Sequence, residues 1–174
     1  MVVLARSANC FGDQCILCEL EGPSFVILRE IVESDLLTIF EHESEPDACQ
    51  MAAYPVRNLE NFMRHWREKV LGDPNTKKKA IVMNEEVVGN IVSWEGNGKR
   101  LVGYWIGKPH WGRGFATNAL QEFITVYERT RPLFAYVTTN NDRSFRVLEK
   151  CGFARIGTPT IGPDGVEEFL FQLS

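Results

Sequence analysis

The run Gly103-Tyr104-Trp105-Ile106-Gly107-Lys108-Pro109-His110-Trp111-Gly112-Arg113-Gly114-Phe115-Ala116-Thr117-Asn118-Ala119-Leu120 restricts what this chain can fold into more than any other segment. An apolar, strand-like stretch enters a glycine-containing turn. A helix-like stretch leaves it, with Ala116, Leu120, Phe123, Ile124 and Tyr127 sharing one face. Such a turn points several backbone N–H groups at one place, and the first helical turn adds its positive dipole end there. The combination suits a phosphate or pyrophosphate. A nucleoside-triphosphate loop would need Lys-Ser or Lys-Thr after its last glycine, whereas Gly114 is followed by Phe115-Ala116. A dinucleotide fold would place three spaced glycines early in a βαβ unit. Here the turn comes late in the chain and its third small residue is Ala116. An ordinary strand–helix connection, with glycines used for tight geometry, is the plain alternative.

The rest of the chain reads as one α/β sheet. Phe25–Ile31 alternates as a first strand, and Ser34-Asp35 opens a helix toward Glu43 with Leu36, Leu37 and Phe40 on its apolar side. Pro46 and Pro55 interrupt the next stretch. Asn58–Leu71 is an amphipathic helix whose apolar side gathers Leu59, Phe62, Met63, Trp66 and Val70. Strands are expected at Lys79–Met83, Val87–Trp94 and Arg100–Ile106, with turns at Asn84-Glu85-Glu86 and Gly96-Asn97-Gly98. After the glycine turn and its helix, Pro132–Val137 is another strand. Asp142 or Asn141 caps a short helix, which Gly152 ends in a left-handed conformation. Phe153–Gly157 and Glu167–Leu173 close the sheet around a Pro163-Asp164-Gly165 turn.

Two motifs together carry a family resemblance. Gly-Tyr-Trp-Ile-x(4)-Trp-Gly-Arg-Gly-Phe-Ala-Thr is followed by Asn-x-x-Ser-x-Arg-Val-Leu-Glu-Lys-x-Gly-Phe, a helix and a strand later. The pair resembles the GNAT superfamily of N-acetyltransferases, and its wording is closest to the ribosomal-protein N-terminal acetyltransferases and their relatives (the RimJ/RimL type). The resemblance covers roughly residues 24–173. It implies a single-domain mixed α/β fold, with a largely antiparallel sheet of about seven strands and helices on both faces. It also implies acetyl-CoA as donor and an amine as acceptor, either a small molecule or a protein N-terminus. By the same resemblance, the pyrophosphate loop falls on Trp111, Gly112, Arg113, Gly114, Phe115, Ala116 and Thr117. The preceding strand, Tyr104 to Gly107, would pair through its backbone with the pantetheine arm, with Trp105, Ile106 and Gly107 as the contacts. Asn141 would bond the pantetheine. Ser144, one helical turn on, would face the same side and serve as the catalytic hydrogen-bond donor to the departing sulfur. Many relatives place a tyrosine donor at what is Leu148 here, and leucine cannot donate.

The amine must lose a proton before it attacks, since a lysine-like ammonium has a pKa near ~10.4 and an α-ammonium near ~7.8. Candidates for that task are Glu95, the Glu41-His42-Glu43-Ser44-Glu45 cluster, His110 and a water chain. A backbone N–H at Ile106-Gly107-Lys108 would receive the developing oxyanion. Arg113 suits contact with the diphosphate. Two other functions stay open: a non-catalytic acyl-CoA-binding domain, and a structural protein whose turn binds nothing.

A chain of 174 residues with net charge −4 fits one core and does not favour a nucleic-acid partner. Its apolar runs are far too short to span a membrane. Residues 1–23 read as an extension and residues 24–174 as the domain, acting as monomer or homodimer. Cys10, Cys15 and Cys18 have iron–sulfur-like spacing but lack a fitting fourth ligand, so no metal is expected. With five cysteines and no convincing signal peptide, the expected location is cytoplasmic.

Overall fold

The structure is a computed structural model that describes residues 26–53, 56–162 and 165–174. Seven strands make one sheet: β1 (Ile27–Arg29), β2 (Lys77–Met83), β3 (Glu86–Gly96), β4 (Lys99–Ile106), β5 (Leu133–Thr138), β6 (Ala154–Ile161) and β7 (Glu167–Leu173), in the spatial order β1-β2-β3-β4-β5-β7-β6. Both hairpins in its first half are closed by two left-handed residues. These are Asn84 (φ 48°) and Glu85 (φ 68°) between β2 and β3, and Asn97 (φ 52°) and Gly98 (φ 70°) between β3 and β4. That conformation matches the twist of the flanking strands. Every pairing is antiparallel except β4 with β5.

Five helices cover the two faces: α1 (Asp35–Glu43), α2 (Pro46–Ala52), α3 (Leu59–His65), α4 (Phe115–Glu122) and α5 (Asp142–Lys150). On one face, Phe115, Leu120 and Phe123 from the α4 side and Leu148 from α5 pack on Ile81, Ile91, Leu133 and Phe171. On the other, Leu36, Ile39, Phe62 and Trp66 pack on Ala80, Val82 and Val87. Alternation along β2 and β3 feeds both cores, as a sheet covered on two sides requires. The mixed, largely antiparallel seven-strand sheet between helices is the expected architecture.

Several details differ from the sequence reading. The first strand is only three residues long, and β6 runs on to Ile161. Helix α2 stands where Pro46 was expected to interrupt. Pro46 occupies its first turn, where a backbone N–H would have had no helical partner in any case, and Glu45 Oε2 accepts from Ala48 N at 3.1 Å. The Asn58–Leu71 helix is present, capped by Asn58, which accepts from Asn61 N at 2.8 Å, but it ends in a wider π-helical turn over Trp66–Leu71. Pro55, Pro163-Asp164 and the three leader cysteines lie outside the described residues.

The parallel pair sets up the site. β4 and β5 are in register only at Arg100↔Leu133 and Leu101↔Phe134, so beyond Leu101 the strands part. The Gly107 N–H donates to Val88 O at 2.9 Å, which fixes which edge of β4 faces β3. Alternation then turns the amides of Tyr104 and Ile106 toward the gap left by β5.

Candidate active site

A cavity of about 490 Å³ opens where the strands part. One wall is the end of β4 with the turn into α4. A second is the first two turns of α5. A third is α2, through Ala48, Met51 and Ala52.

The glycine turn has the shape of an anion cradle. Gly112 (φ 78°) and Gly114 (φ 82°) are left-handed, and a Cβ at either would meet no atom within 4 Å. The first helical bond runs from Asn118 N to Gly114 O at 3.1 Å, so the amides of residues 112–117 precede the ladder and have no helical acceptor. Trp111 Nε1 donates to Ile106 O at 2.7 Å and clips the turn to the strand end. The Arg143 guanidinium lies 4.7 Å over the Trp111 ring. Trp105, Ile106, Trp111, Gly112, Gly114, Phe115, Ala116, Thr117, Asn141 and Ser144 all line the cavity.

Two expected cofactor residues are placed otherwise. Gly107 does not line the cavity. Its amide is committed to Val88, so it cannot serve as an oxyanion donor, and a Cβ there would fall 2.6 Å from the His42 imidazole. Arg113 is exposed and turns away from the cleft, with its guanidinium 4.8 Å over the Phe115 ring and Nη2 3.7 Å from Met83 Sδ. An apolar ring and a sulfur are what the Arg113 guanidinium meets.

Asn141 caps α5, its Oδ1 accepting from Ser144 N at 3.1 Å, which leaves its NH₂ free to donate elsewhere. Leu148 is fully buried in the core. Sequence reading missed three cations on α5, Arg143, Arg146 and Lys150, which line the cavity. Their spacing after a capping asparagine puts them on the cleft side of one helix, a signal available in the sequence. The sequence places Tyr104 in the strand beside the pantetheine arm but gives its side chain no task. Tyr104 lines the cavity, its hydroxyl is buried, and it stands beside Ser144 without being aligned into a hydrogen bond of ordinary geometry.

The candidate bases separate clearly. Glu95 sits at the opposite end of β3, exposed and 3.7 Å from Arg100, away from the cavity. Glu45 is 2.9 Å and Asp47 2.5 Å from Lys108 Nζ. Glu43, expected on a solvated helix end, is buried. It accepts from Asn90 Nδ2 at 3.2 Å, and burial pushes its carboxyl up to about 7. His42 is packed under β4, with Trp105 Nε1 donating to its carbonyl at 2.8 Å; burial and the neighbouring His110 hold its imidazole below the usual value. His110 is buried and lines the cavity, with Nε2 3.5 Å from Glu86 Oε1 and Nδ1 without a partner among the described residues. The two imidazole rings lie 6.0 Å apart, edge to face. Among the described residues no group of three or more His, Cys, Asp or Glu could hold a metal, and no helix is long and apolar enough to cross a membrane.

Comparison with known proteins adds a family. A model of the acetyltransferase (GNAT) domain matches residues 26–154. The chain is similar to an uncharacterized N-acetyltransferase, p20, from Bacillus licheniformis, with 32% identity over 94 residues; the match spans 49% of this chain and 52% of that protein, about half of its length. Among solved structures it is similar to a GNAT-family acetyltransferase from Bacillus anthracis (TM-score 0.71, 20% identity, 85% of this chain and 93% of the other). It is also similar to a spermidine N-acetyltransferase from Vibrio cholerae in complex with CoA and spermine (TM-score 0.70, 16% identity, 85% and 94%). A third similar structure is the aminoglycoside acetyltransferase AAC(6')-Ib with coenzyme A and kanamycin (TM-score 0.68, 21% identity, 85% and 94%). At these identities the structural likeness is one of fold.

Proposed function

The chain belongs to the GNAT acetyltransferase family, and from that membership we propose that it transfers an acetyl group from acetyl-CoA to a primary amine by direct attack within a ternary complex. The observation that carries the reading is the continuity of the cleft. The unpaired edge of β4, the amide cradle at residues 112–117 and the cationic side of α5 lie along one cavity, as an extended carrier with a diphosphate requires.

In this reading the cradle amides bind the diphosphate, aided by the α4 dipole. Arg143, Arg146 and Lys150 supply the remaining positive charge. Trp105 and Ile106 lie along the pantetheine arm, with the Ile106 and Tyr104 amides as backbone donors, and Asn141 donates through its NH₂. A neutral amine attacks the thioester carbonyl, and an amide facing the β4–β5 gap receives the oxyanion. The C–N bond forms, the C–S bond breaks, and the proton lost by the amine balances the thiolate released as CoA. Ser144 donates a hydrogen bond to that sulfur. Holding both reactants in one cleft supplies much of the rate.

The motif wording resembles the ribosomal-protein branch, which makes a protein N-terminus one acceptor class. The structural neighbours named with spermine and kanamycin make polyamines and aminoglycosides two others. Thiol release from acetyl-CoA against a panel of spermine, kanamycin, free amino acids and peptides with free N-termini tests the reading. Release with at least one amine, slowed about tenfold or more by Ser144→Ala, is expected. CoA binding with no release for any amine would instead mark an acyl-CoA-binding domain.

A further inference from the structure

The Tyr104 hydroxyl is a buried polar group of β4 that the reading above leaves without a task. Tyr104 projects from β4 onto the face covered by α4 and α5, where it packs against that core. Its oxygen is shielded from solvent and makes no hydrogen bond among the described residues. A buried hydroxyl without a partner is costly unless a bound molecule or a rearranged neighbour completes it. Its neighbour is Ser144, in the first turn of α5, and both side chains line the same cavity. Burial pushes the phenol well above its ordinary value, while Ser144 draws it back. Tyr104 therefore stays protonated: it can give a hydrogen bond but does not give up its proton.

We propose that Tyr104 is a positioning residue for the leaving sulfur: with a CoA thioester seated, its O–H donates to Ser144 Oγ and so turns the Ser144 hydrogen toward the sulfur. A serine hydroxyl has one hydrogen and can point it in several directions. Occupying its lone pair from the tyrosine side removes the orientation in which that hydrogen points back at Tyr104. Two hydrogen bonds in series also polarise one another. Neither residue loses a proton. The thiolate takes its hydrogen bond from Ser144, and the proton displaced from the amine makes the neutral thiol.

This inference rests on the acetyl-CoA reading of the cleft, so its test has one arm that needs no acceptor. The thiol of bound CoA is titrated by the ultraviolet absorption of its thiolate, in the wild type, Tyr104→Phe, Ser144→Ala and the double variant. Free thiols titrate near ~8.5. The bound thiol should titrate lower in the wild type and about 0.5–1 unit higher in each single variant, with the double variant no higher than Ser144→Ala. In the second arm, Tyr104→Phe should lower kcat for acetyl-CoA with a responsive amine about five- to twentyfold while KM for acetyl-CoA moves less than about twofold. Tyr104→Phe should have no further effect in the Ser144→Ala background. A wild-type thiol titration in Tyr104→Phe, or equal slowing of the wild type and the Ser144→Ala variant, overturns the proposal. Failure of the wild type to release thiol with any amine, with the titration shift intact, counts against acetyl transfer and leaves the Tyr104–Ser144 coupling standing.

Discussion

Gly107 shows how a single residue can be fixed by its neighbour rather than by its backbone. Its φ of −56° suits any amino acid, yet a Cβ would press on the His42 ring at 2.6 Å, and a packed imidazole has little room to yield. Gly107→Ala should destabilise the protein by about 1–3 kcal/mol in urea denaturation, the usual cost of overpacking. Glu43 supplies a pH signature at the same scale. Burial raises its carboxyl from 4.5 to about 7, so the folded state holds that proton more tightly than the unfolded chain. Its stabilising effect is complete below the unfolded value and is lost as pH rises through about 7. Stability of the wild type should fall between these limits, by on the order of 3 kcal/mol at most. Glu43→Gln should flatten that segment of a stability–pH curve. A wild-type slope persisting unchanged in Glu43→Gln would show that another group titrates there.

At the level of elements, the closed end of the sheet is held by Glu128, just after the α4 segment. It accepts from Ser93 Oγ on β3 (2.9 Å), Arg100 Nε on β4 (2.7 Å) and Thr130 N (2.9 Å), and pairs with Lys77 Nζ on β2 at 3.2 Å. Burial pushes this carboxyl up, but the hydrogen bonds outweigh it and hold it at about 2. Its stabilisation is therefore present above the ordinary value of 4.5 and fades as pH falls toward 2. Glu128→Ala takes the close, buried carboxylate from Arg100, leaving it the exposed Glu95 at 3.7 Å, and should cost about 3 kcal/mol by chemical denaturation. A loss under 1 kcal/mol would show the network to be dispensable. The cross-strand part of this was not legible in the sequence, because Arg100, Ser93 and Lys77 are 28 to 51 residues away and carry no local pattern. The hairpins were legible, since Asn97-Gly98 favours the left-handed pair its turn needs. Helix α2 is hard to read from sequence because Pro46 looks like a break and yet suits a helix's first turn.

For the whole molecule, the cleft is a product of topology. The strand–turn–helix run announced an anion cradle, and Asn141 with Ser144 announced a second wall. What the sequence could not show is that β4 and β5 stay paired for only two residues, which is what joins these parts into one cavity. Nor could it show that Arg113 points away from the cleft, because a turn's side-chain directions depend on its φ values and on what packs beneath it. The account's central claim is that the amides of residues 112–117 grip the diphosphate of CoA. Calorimetric titration with CoA of the wild type and Gly114→Glu tests it most directly, since the new carboxylate would stand where the cradle is open. The left-handed φ of 82° adds a folding cost of about 1–2 kcal/mol, so a thermal melt confirms that the variant is folded at the titration temperature. The account predicts saturable binding to the wild type and an affinity lowered at least about a hundredfold in the folded variant, equivalent to ~2.7 kcal/mol. Wild-type affinity in Gly114→Glu would contradict it.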